Sequence, residues 1–263
     1  MSEFVTDSDW AEFKSKLKNK TEIDLDLYKA PQMQRRISNL VKRAGFPSFS
    51  AYFDHVCKNK DDFAEFIEYL TINVSEFFRN SDRFDQLEND IIPYLMERSP
   101  KLNIWSAGCS IGAEPYSLSM IMKDKTPNMK HRILASDLDI EILAKAKAGV
   151  YSAAEIKAMT PERKSKYMVE QDGKFAVKPE IKSCIEFKRH NLLKDKFETG
   201  FDLILCRNVV IYFTEEAKDQ LYAHFFEALK PGGILFVGAT EAILNFRRLG
   251  YTSYKPFFYQ RPL

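Results

Sequence analysis

The fold is decided by the stretch Asn103–Ser117, NIWSAGCSIGAEPYS. Ile104 and Trp105 favour a buried parallel strand, and the small residues of Ser106–Gly112 favour a tight loop. Glu114–Met122 has the composition of a helix. A strand, a glycine-containing loop and a helix in this order predict the start of an open α/β sheet, in which a nucleotide-like ligand binds beside the loop.

The spacing of the glycines distinguishes between cofactors. Gly108 and Gly112 are four residues apart, so the loop lacks the G-x-G-x-x-G pattern of dinucleotide-binding loops. Glu114 follows at the start of the helix, where its charge would repel a pyrophosphate. A nucleoside with a cationic, amino-acid-like portion suits this loop better, and S-adenosylmethionine has these features. The alternative is a tight turn that binds no ligand.

Composition and charge exclude several classes of protein. The 263 residues carry a formal net charge of +2 with mixed signs along the chain, so nucleic-acid binding is not expected. The sequence shows no signal-peptide pattern and no apolar run near the ~20 residues of a membrane helix, so we expect a cytoplasmic protein that is not inserted in a membrane. Neither a metal site nor a disulfide framework is indicated, because the cysteines are scattered and lie apart from the histidines: Cys57, Cys109, Cys184 and Cys206.

Residues 1–75 are expected to form a small helical domain, and one of its helices has two distinct faces. Over residues 31–44, apolar side chains fall on one stripe at helical spacing. The opposite face carries basic side chains with no acidic one among them: Arg35, Arg36, Lys42 and Arg43. This face is either a solvated surface or a docking surface for an acidic partner.

Residues 71–80, TINVSEFFRN, interleave polar and aromatic side chains just before the α/β region. One interpretation places Asn73, Ser75 and Arg79 over the cofactor loop, with the aromatic residues as anchors. The alternative is a helix start in which Ser75 is the N-cap and the two phenylalanines belong to the core. The amphipathic helix that follows is predicted to kink at Pro93.

Strand and helix patterns alternate after residue 103, which predicts a mostly parallel sheet covered by crossover helices. The predicted strands after the first are Arg132–Ala135, Cys184–Lys188, Phe201–Cys206, Gly233–Val237 and Phe257–Gln260. Helices are predicted at Ile140–Ala148 and Glu215–Leu229. Asp172 and Gly173 form a hairpin turn signal, so we expect a small antiparallel β insertion at about residues 167–188.

Polar side chains follow several of the predicted strands. Asp137 lies about 25 residues beyond the glycine loop, where a carboxylate can accept both hydroxyls of a ribose, whereas Asp139 better suits a helix cap. After the third strand, Asn191 could hydrogen-bond an adenine edge while Leu192 covers its face. After the fourth strand, polar side chains interrupt an apolar segment and need partners there: Arg207, Asn208 and Tyr212.

Five segments, in this order and spacing, resemble the bacterial chemotaxis receptor methyltransferases, the CheR family: TINVSEFFRN, SAGCSIGAEPYS, ILASDLD, HNLL and CRNVVIYF. The resemblance covers essentially the whole chain. It implies an α/β fold, a Rossmann-like class I S-adenosylmethionine-dependent methyltransferase with a mostly parallel sheet, preceded by a small all-helical domain. The implied domains are residues 1–75 and 76–263, with the β subdomain inside the second.

The resemblance also implies an activity. The enzyme would be a protein-glutamate O-methyltransferase, which transfers the methyl group of S-adenosylmethionine to glutamate carboxylates of methyl-accepting chemotaxis receptors and releases S-adenosylhomocysteine. Its partner would be the cytoplasmic helical bundle of the receptors, and we expect the chain to be a monomer. Two alternatives stay open: a cofactor-binding regulatory module without catalysis, and a small-molecule carboxyl methyltransferase.

Site residues are carried over from the family motifs position by position. The resemblance implies that the cofactor site is lined by Asn73, Ser75, Arg79, Glu114, Asp137, Asn191, Leu192, Arg207 and Asn208. Arg79 and Tyr212 would act on the acceptor carboxylate near the transferred methyl group. The glycine loop departs from the usual C-S-T-G-E-E-P-Y at Ile111 and Ala113, but keeps the second glutamate. Since receptor helices near methylation sites are acidic, the basic helix face becomes the expected docking surface. The short hairpin loop resembles members that need no receptor pentapeptide tether.

Overall fold

A computed structural model describes residues 6–71 and 75–263 and divides them into two compact units. The first, called the N-terminal unit, comprises residues 6–71 with Val209–Gln220. The second, called the sheet unit, comprises residues 75–208 with Leu221–Leu263. Across the described residues, every helix falls short of the combined length and apolar character that a membrane span requires.

Four helices of the N-terminal unit enclose an aromatic core. Phe13 is fully buried, and its ring lies 5.6 Å from that of Phe49 and 5.5 Å from that of Phe53, measured between centroids. The carboxylate of Asp9 accepts hydrogen bonds from the N–H groups of Phe49 and Ser50, which joins the first helix to the start of the third. The helices are α1 Asp7–Thr21, α2 Ala30–Arg43, α3 Phe49–Val56 and α4 Lys60–Thr71.

A segment from far along the chain completes the N-terminal unit, which the sequence pattern did not indicate. Lys29 N–H donates to the carbonyl oxygen of Tyr212 at 2.8 Å, and Thr214 N–H donates to that of Leu27 at 3.0 Å. These bonds close a short antiparallel pairing around the 3₁₀ turn Val210–Tyr212. The backbone of Tyr212 is therefore held by the N-terminal helical region.

The sheet unit contains a seven-stranded, mostly parallel sheet, which confirms the predicted fold class. Its strand order is β6-β2-β1-β7-β8-β10-β9, with β10 antiparallel to both of its neighbours. All residues of β7 are buried, as expected for a central parallel strand covered on both faces. In chain order the strands are β1 Asn103–Ala107, β2 Arg132–Asp137, β3 Val150–Ser152, β4 Met168–Gln171, β5 Lys174–Val177, β6 Ile185–Arg189, β7 Phe201–Cys206, β8 Leu229–Val237, β9 Thr252–Lys255 and β10 Phe258–Gln260.

The helices of the sheet unit follow the predicted alternation, with a local difference before Pro93 and two short helices, Pro161–Tyr167 and Pro179–Lys182, that were not predicted. The kink predicted at Pro93 is a π-helical turn, Leu87–Ile91, between two α-helices. Proline has no N–H for the residue four before it, and Ile92 N–H donates to Leu87, five residues back. The helices are α5 Ser81–Gln86, α6 Ile92–Arg98, α7 Ala113–Lys125, α8 Ile140–Ala148, α9 Pro161–Tyr167, α10 Pro179–Lys182 and α11 Glu215–Ala228, whose last residues belong to this unit.

The predicted antiparallel insertion is present as a separate three-stranded sheet of order β3-β5-β4, but its strands lie between Val150 and Val177, and the end of the predicted range belongs to β6 of the large sheet. Asp172 and Gly173 both adopt positive φ, at +51° and +71°, and form the hairpin turn between β4 and β5. Sequence reasoning missed β3, a strand of three residues in which only Tyr151 is buried. It also missed the edge strand β9, which has no fully buried residue.

Candidate functional site

The glycine loop between β1 and α7 makes a sharp turn with positive φ at Gly108, Ser110 and Gly112. Gly108 N–H donates to the carbonyl oxygen of Ser136 at the end of β2, at 2.8 Å. A Cβ atom on Gly112 would lie 3.0 Å from the Cβ of Ala146. The two glycines therefore permit the turn and the close packing of α8 against it.

Glu114 starts α7 and carries the carboxylate of the loop. Its Oε1 accepts a hydrogen bond from Ser106 Oγ at 2.8 Å, and its Oε2 lies 3.2 Å from Arg207 Nη1. The Arg207 side chain is 3% exposed and that of Glu114 is 14% exposed. The carboxylate is thus held in one orientation, which suits a group that receives the ammonium of an amino-acid-like ligand.

Arg207 also holds the linker that precedes α5. Its Nη2 donates to the carbonyl oxygen of Arg79 at 2.8 Å and to Asn80 Oδ1 at 2.9 Å. The guanidinium carbon lies 4.7 Å from the ring centroid of Phe236 and 5.2 Å from that of Phe84. Arg207 therefore joins the glycine-loop helix, the end of β7 and the linker in one buried network.

The linker does not start a helix at Ser75, so the predicted N-cap is wrong, whereas Phe77 and Phe78 are buried in the core as the same alternative predicted. The helix begins at Ser81, with Asn80 as its N-cap in the left-handed conformation. Phe78 is also left-handed, at φ +50°, and its N–H donates to Ser117 Oγ at 3.0 Å. Ser75 and Arg79 are both half-buried in this linker, and the predicted contact of Asn73 lies outside the described residues.

Asp139 has the capping role that its position predicts, and Asp137 has different hydrogen-bond partners. Asp137 Oδ2 accepts a hydrogen bond from Ser110 N–H at 2.8 Å, which fixes the carboxylate at the glycine loop. Burial raises the pKa of Asp137 to about 6. Asp139 caps α8 by accepting from the N–H groups of Glu141 and Ile142. Asp137 is therefore the carboxylate available to a ribose, while Asp139 stabilises the helix.

The end of β6 lies beside Asp137. His190 N–H donates to the carbonyl oxygen of Asp137 at 2.9 Å, and the chain turns immediately afterwards. Asn191 and Leu192 are both buried in this turn, where Asn191 Oδ1 accepts from Leu193 N–H at 3.0 Å. The structure thus brings the adenine-binding candidates to the same edge of the sheet as Asp137.

Asn208 follows β7 in the left-handed conformation, at φ +60°. Its N–H donates to Oε2 of Glu241 at 2.6 Å. Sequence reasoning missed Glu241, which is buried and also accepts from Gly238 N–H at 2.9 Å. The available signal was an acidic residue three positions after a glycine that ends a buried strand.

Tyr212 lies in the N-terminal unit, where it lines a cavity of about 280 Å³ with two of the predicted docking residues, Arg35 and Arg36. Arg36 donates from Nε to the carbonyl oxygen of Tyr69 at 3.0 Å, and its guanidinium carbon lies 4.1 Å from the ring centroid of Tyr69. The remaining lining residues are Gln32, Met33, Asn39 and Tyr69. Lys42 and Arg43 are exposed near the end of α2 and do not line the cavity.

The two glycine-loop residues that differ from the usual family motif pack in or against the core. Ala113 is fully buried, and Ile111 packs against the same hydrophobic cluster. The carbonyl oxygen of Ile111 accepts a hydrogen bond from the Tyr151 hydroxyl at 2.6 Å. Neither change removes a partner of Glu114, whose contacts come from Ser106 and Arg207.

The cysteine thiols near the loop are buried and do not favour a catalytic role. Burial raises the pKa of the thiols of Cys109 and Cys206 well above its usual range, so neither favours a thiolate. Within residues 6–71 and 75–263, His, Cys, Asp and Glu side chains form no group that could hold a metal ion.

The site was compared with S-adenosylmethionine as a ligand. The two carboxylates suit different parts of this ligand: Glu114 suits its ammonium group and Asp137 suits its ribose diol. Buried Ser110 Oγ, in the glycine loop, and Arg207 Nε have no hydrogen-bond partner among the residues described. These residues fit a nucleoside with an amino-acid tail and define the class of protein, an S-adenosylmethionine-dependent methyltransferase.

The family follows from comparison with known proteins. The model "CheR methyltransferase, SAM binding domain" matches residues 73–254, and "CheR methyltransferase, all-alpha domain" matches residues 8–71. The chain therefore belongs to the CheR family of chemotaxis methyltransferases, and S-adenosylmethionine is its cofactor.

Curated relatives cover most of the chain. A chemotaxis protein methyltransferase of Listeria monocytogenes is 42% identical over 254 residues, covering 96% of this chain and 97% of that protein. That of Borreliella burgdorferi is 37% identical, with 87% and 86% covered. That of Escherichia coli is 31% identical, with 84% and 79% covered. The chain is accordingly an S-adenosylmethionine-dependent methyltransferase of chemotaxis.

Substituting the two aspartates should separate binding from stability. Asp137→Ala removes the ribose-facing carboxylate, so we expect cofactor affinity to fall at least tenfold in calorimetric titration. Asp139→Ala removes an N-cap and should lower the free energy of unfolding by about 1 kcal/mol, with cofactor affinity nearly unchanged. Equal losses of affinity in the two variants would contradict this assignment.

Cofactor affinity should depend on pH through Asp137. Its carboxyl group has a pKa of about 6, and a ribose diol donates to the ionised form. Affinity for S-adenosylhomocysteine should therefore fall as pH drops through 6, by about tenfold per pH unit well below that value. The Asp137→Asn variant, which does not titrate, should show a flat profile between pH 5 and pH 7 by comparison.

The effect on folding has the opposite sign. The folded-state pKa of Asp137 lies above its ordinary value of 3.8, so the folded chain binds this proton more tightly than the unfolded chain does. The stabilisation from protonation is present below pH 3.8 and is lost as pH rises through about 6. Weaker binding at low pH therefore cannot be attributed to unfolding caused by this residue.

Proposed function

We propose that the chain transfers the methyl group of S-adenosylmethionine to glutamate side chains of methyl-accepting chemotaxis receptors, forming methyl esters and S-adenosylhomocysteine. One observation carries the proposal: Arg35, Arg36 and Tyr212 line a single cavity, and no acidic residue is among the described residues that line it. Such a cavity suits an acidic side chain of a protein partner. The cytoplasmic helical bundle of a receptor would be this partner, and we propose that the enzyme acts on it in the cytoplasm as a monomer.

The reaction needs little chemistry from the protein. When bound, S-adenosylmethionine supplies a sulfonium methyl group that a nucleophile can attack in line. Glutamate has a reference pKa of about 4.3, so the acceptor is already ionised at neutral pH and requires no general base. The residues of the chain have to hold and align the two reactants, and alignment can supply ~7 to 11 kcal/mol of barrier lowering.

The proposed roles divide between cofactor and acceptor. Glu114 and Asp137 hold the two polar ends of the cofactor, and Arg207 keeps Glu114 oriented. Arg79 and Tyr212 orient the acceptor carboxylate without neutralising its charge. The remaining proposed cofactor contacts are Asn73, Ser75, Asn191, Leu192 and Asn208.

The basic face of α2 is the proposed docking surface for acidic receptor helices. Arg35, Lys42 and Arg43 are exposed, and Arg36 is half-buried against Tyr69. Exposed charges act over several ångströms and mainly set encounter rate and orientation. This surface would therefore affect receptor methylation but not cofactor binding.

The proposal is tested by methyl transfer to receptor-containing membranes from labelled S-adenosylmethionine. We expect base-labile methyl ester in the receptor, and an Arg79→Ala variant should lower kcat at least tenfold with cofactor affinity changed less than threefold. A Ser75→Ala variant provides the comparison, because it should act on cofactor affinity first. Cofactor binding without ester on any matched receptor would overturn the receptor activity, and an equal loss of affinity in Arg79→Ala would reassign that residue to the cofactor.

Charge reversal on α2 tests the docking surface. The double variant Arg35→Glu, Lys42→Glu should raise the receptor KM at least tenfold at low salt, because it places negative charge opposite an acidic partner. Its effect should shrink at high salt.

The control variant is Lys58→Glu, Lys60→Glu, which reverses two exposed charges elsewhere in the N-terminal unit. Receptor kinetics should stay near the parent values in this control, and calorimetric cofactor affinity should be unchanged in both double variants. An unchanged receptor KM in the α2 variant would contradict the docking proposal.

A further inference from the structure

Glu241 is a buried carboxylate that no step of the proposed reaction uses. It lies in the turn after β8 and is 5% exposed. Its Oε2 accepts hydrogen bonds from the N–H groups of Asn208, at 2.6 Å, and Gly238, at 2.9 Å. A carboxylate that accepts two main-chain N–H groups makes charge-assisted bonds, which are stronger than neutral ones.

The position of Glu241 connects two strand ends. Cys206 at the end of β7 pairs with Val237 at the end of β8, so the residues that follow both strands emerge at the same edge of the sheet. This carboxyl edge is where α/β sheets bind their ligands. The Glu241 carboxylate bridges the two chains at this edge, between Asn208 and Gly238.

The carboxylate leaves no room for a side chain at Gly238. A Cβ atom on Gly238 would collide with Glu241 Oε2 and would lie 3.1 Å from the main-chain nitrogen of Asn208. Gly238 has no positive φ, so the absence of a side chain serves the close approach and not an unusual backbone conformation. The turn is therefore shaped around this one carboxylate.

The same arrangement occurs at the glycine loop. Ser110 is a non-glycine residue with φ +48°, and its N–H donates to Asp137 from the neighbouring strand. Asn208 is a non-glycine residue with φ +60°, and its N–H donates to Glu241 beyond the neighbouring strand. The left-handed conformation is unfavourable for most non-glycine residues, but asparagine tolerates it better than most, so a hydrogen bond to its N–H can favour it at Asn208.

We propose that Glu241 is a positioning residue of the cofactor site, which acts through the main chain of Asn208. Its carboxylate holds Asn208 in the left-handed conformation from which that residue contacts S-adenosylmethionine. The inference rests on the proposed placement of Asn208 in the cofactor site. It assigns a role in cofactor affinity to a residue that itself touches neither reactant.

The test compares variants that differ in the reach of the carboxylate. Glu241→Asp is one methylene shorter and cannot hold both N–H groups, so affinity for S-adenosylhomocysteine should fall about tenfold in calorimetric titration. Glu241→Gln keeps a side-chain oxygen at the same distance from the main chain, so its affinity for S-adenosylhomocysteine should stay within about threefold of the parent value. Glu170→Asp, at an exposed glutamate of β4, is the matched control and should change nothing.

A double-mutant cycle identifies the route. If Glu241 acts through Asn208, Glu241→Asp should cost less than about twofold in an Asn208→Ala background, because the contact that it positions is already lost. Gly238→Ala offers an independent perturbation, since its Cβ displaces the same carboxylate, and should also weaken binding about tenfold.

Three results would overturn the positioning role of Glu241. Parent-like affinity in Glu241→Asp overturns the proposal, as does the same loss of affinity with and without the Asn208 side chain. Loss of folding in both Glu241→Asp and Gly238→Ala, measured by thermal unfolding, would give Glu241 a purely structural role and would also overturn it. Failure of receptor methylation leaves cofactor binding untouched, so the receptor activity and this inference fail separately.

Discussion

The ion pair between buried Arg207 and half-buried Glu114 is the interaction on which the candidate site depends. It joins the end of β7 to the start of α7, and the same guanidinium holds the carbonyl oxygen of Arg79 in the linker. Removing one partner of a buried pair costs roughly 3–5 kcal/mol because the other charge is left unpaired. The glycine loop, the linker and the strand end are therefore coupled through one side chain, and each can be placed only with the others.

Three carboxylates at the carboxyl edge of the sheet have different structural roles. Asp139 stabilises a helix start, Glu241 holds a strand end, and Asp137 holds the loop while remaining suited to a ligand. Their surroundings decide which job each one does: burial raises the pKa of Asp137 to about 6, so its ionisation and its ligand are linked. The proposed recognition of a receptor would use the opposite charge, because guanidinium groups of α2 line the cavity that Tyr212 also lines.

Strong local patterns made much of the fold predictable. The all-buried strand β7 and the capped helix α8 have the predicted bounds, because a mostly apolar segment of strand length and an Asp cap with a terminal glycine have few alternatives. Weak patterns failed in predictable places. Strand β3 is too short to show alternation, and the π-helical turn before Pro93 depends on hydrogen bonds that composition does not specify.

The sequence alone determined the fold class, the cofactor class and the motifs that carry the site, since the spacing of glycines and strand-end acids is a local property of the chain. Tertiary structure alone decided which groups meet. Glu241 reaches Asn208 from 33 residues away because β7 and β8 are neighbours in the sheet, and Tyr212 joins the N-terminal helices because Lys29 and Thr214 pair the two segments. Contacts between distant segments depend on strand order and packing, which no local pattern encodes.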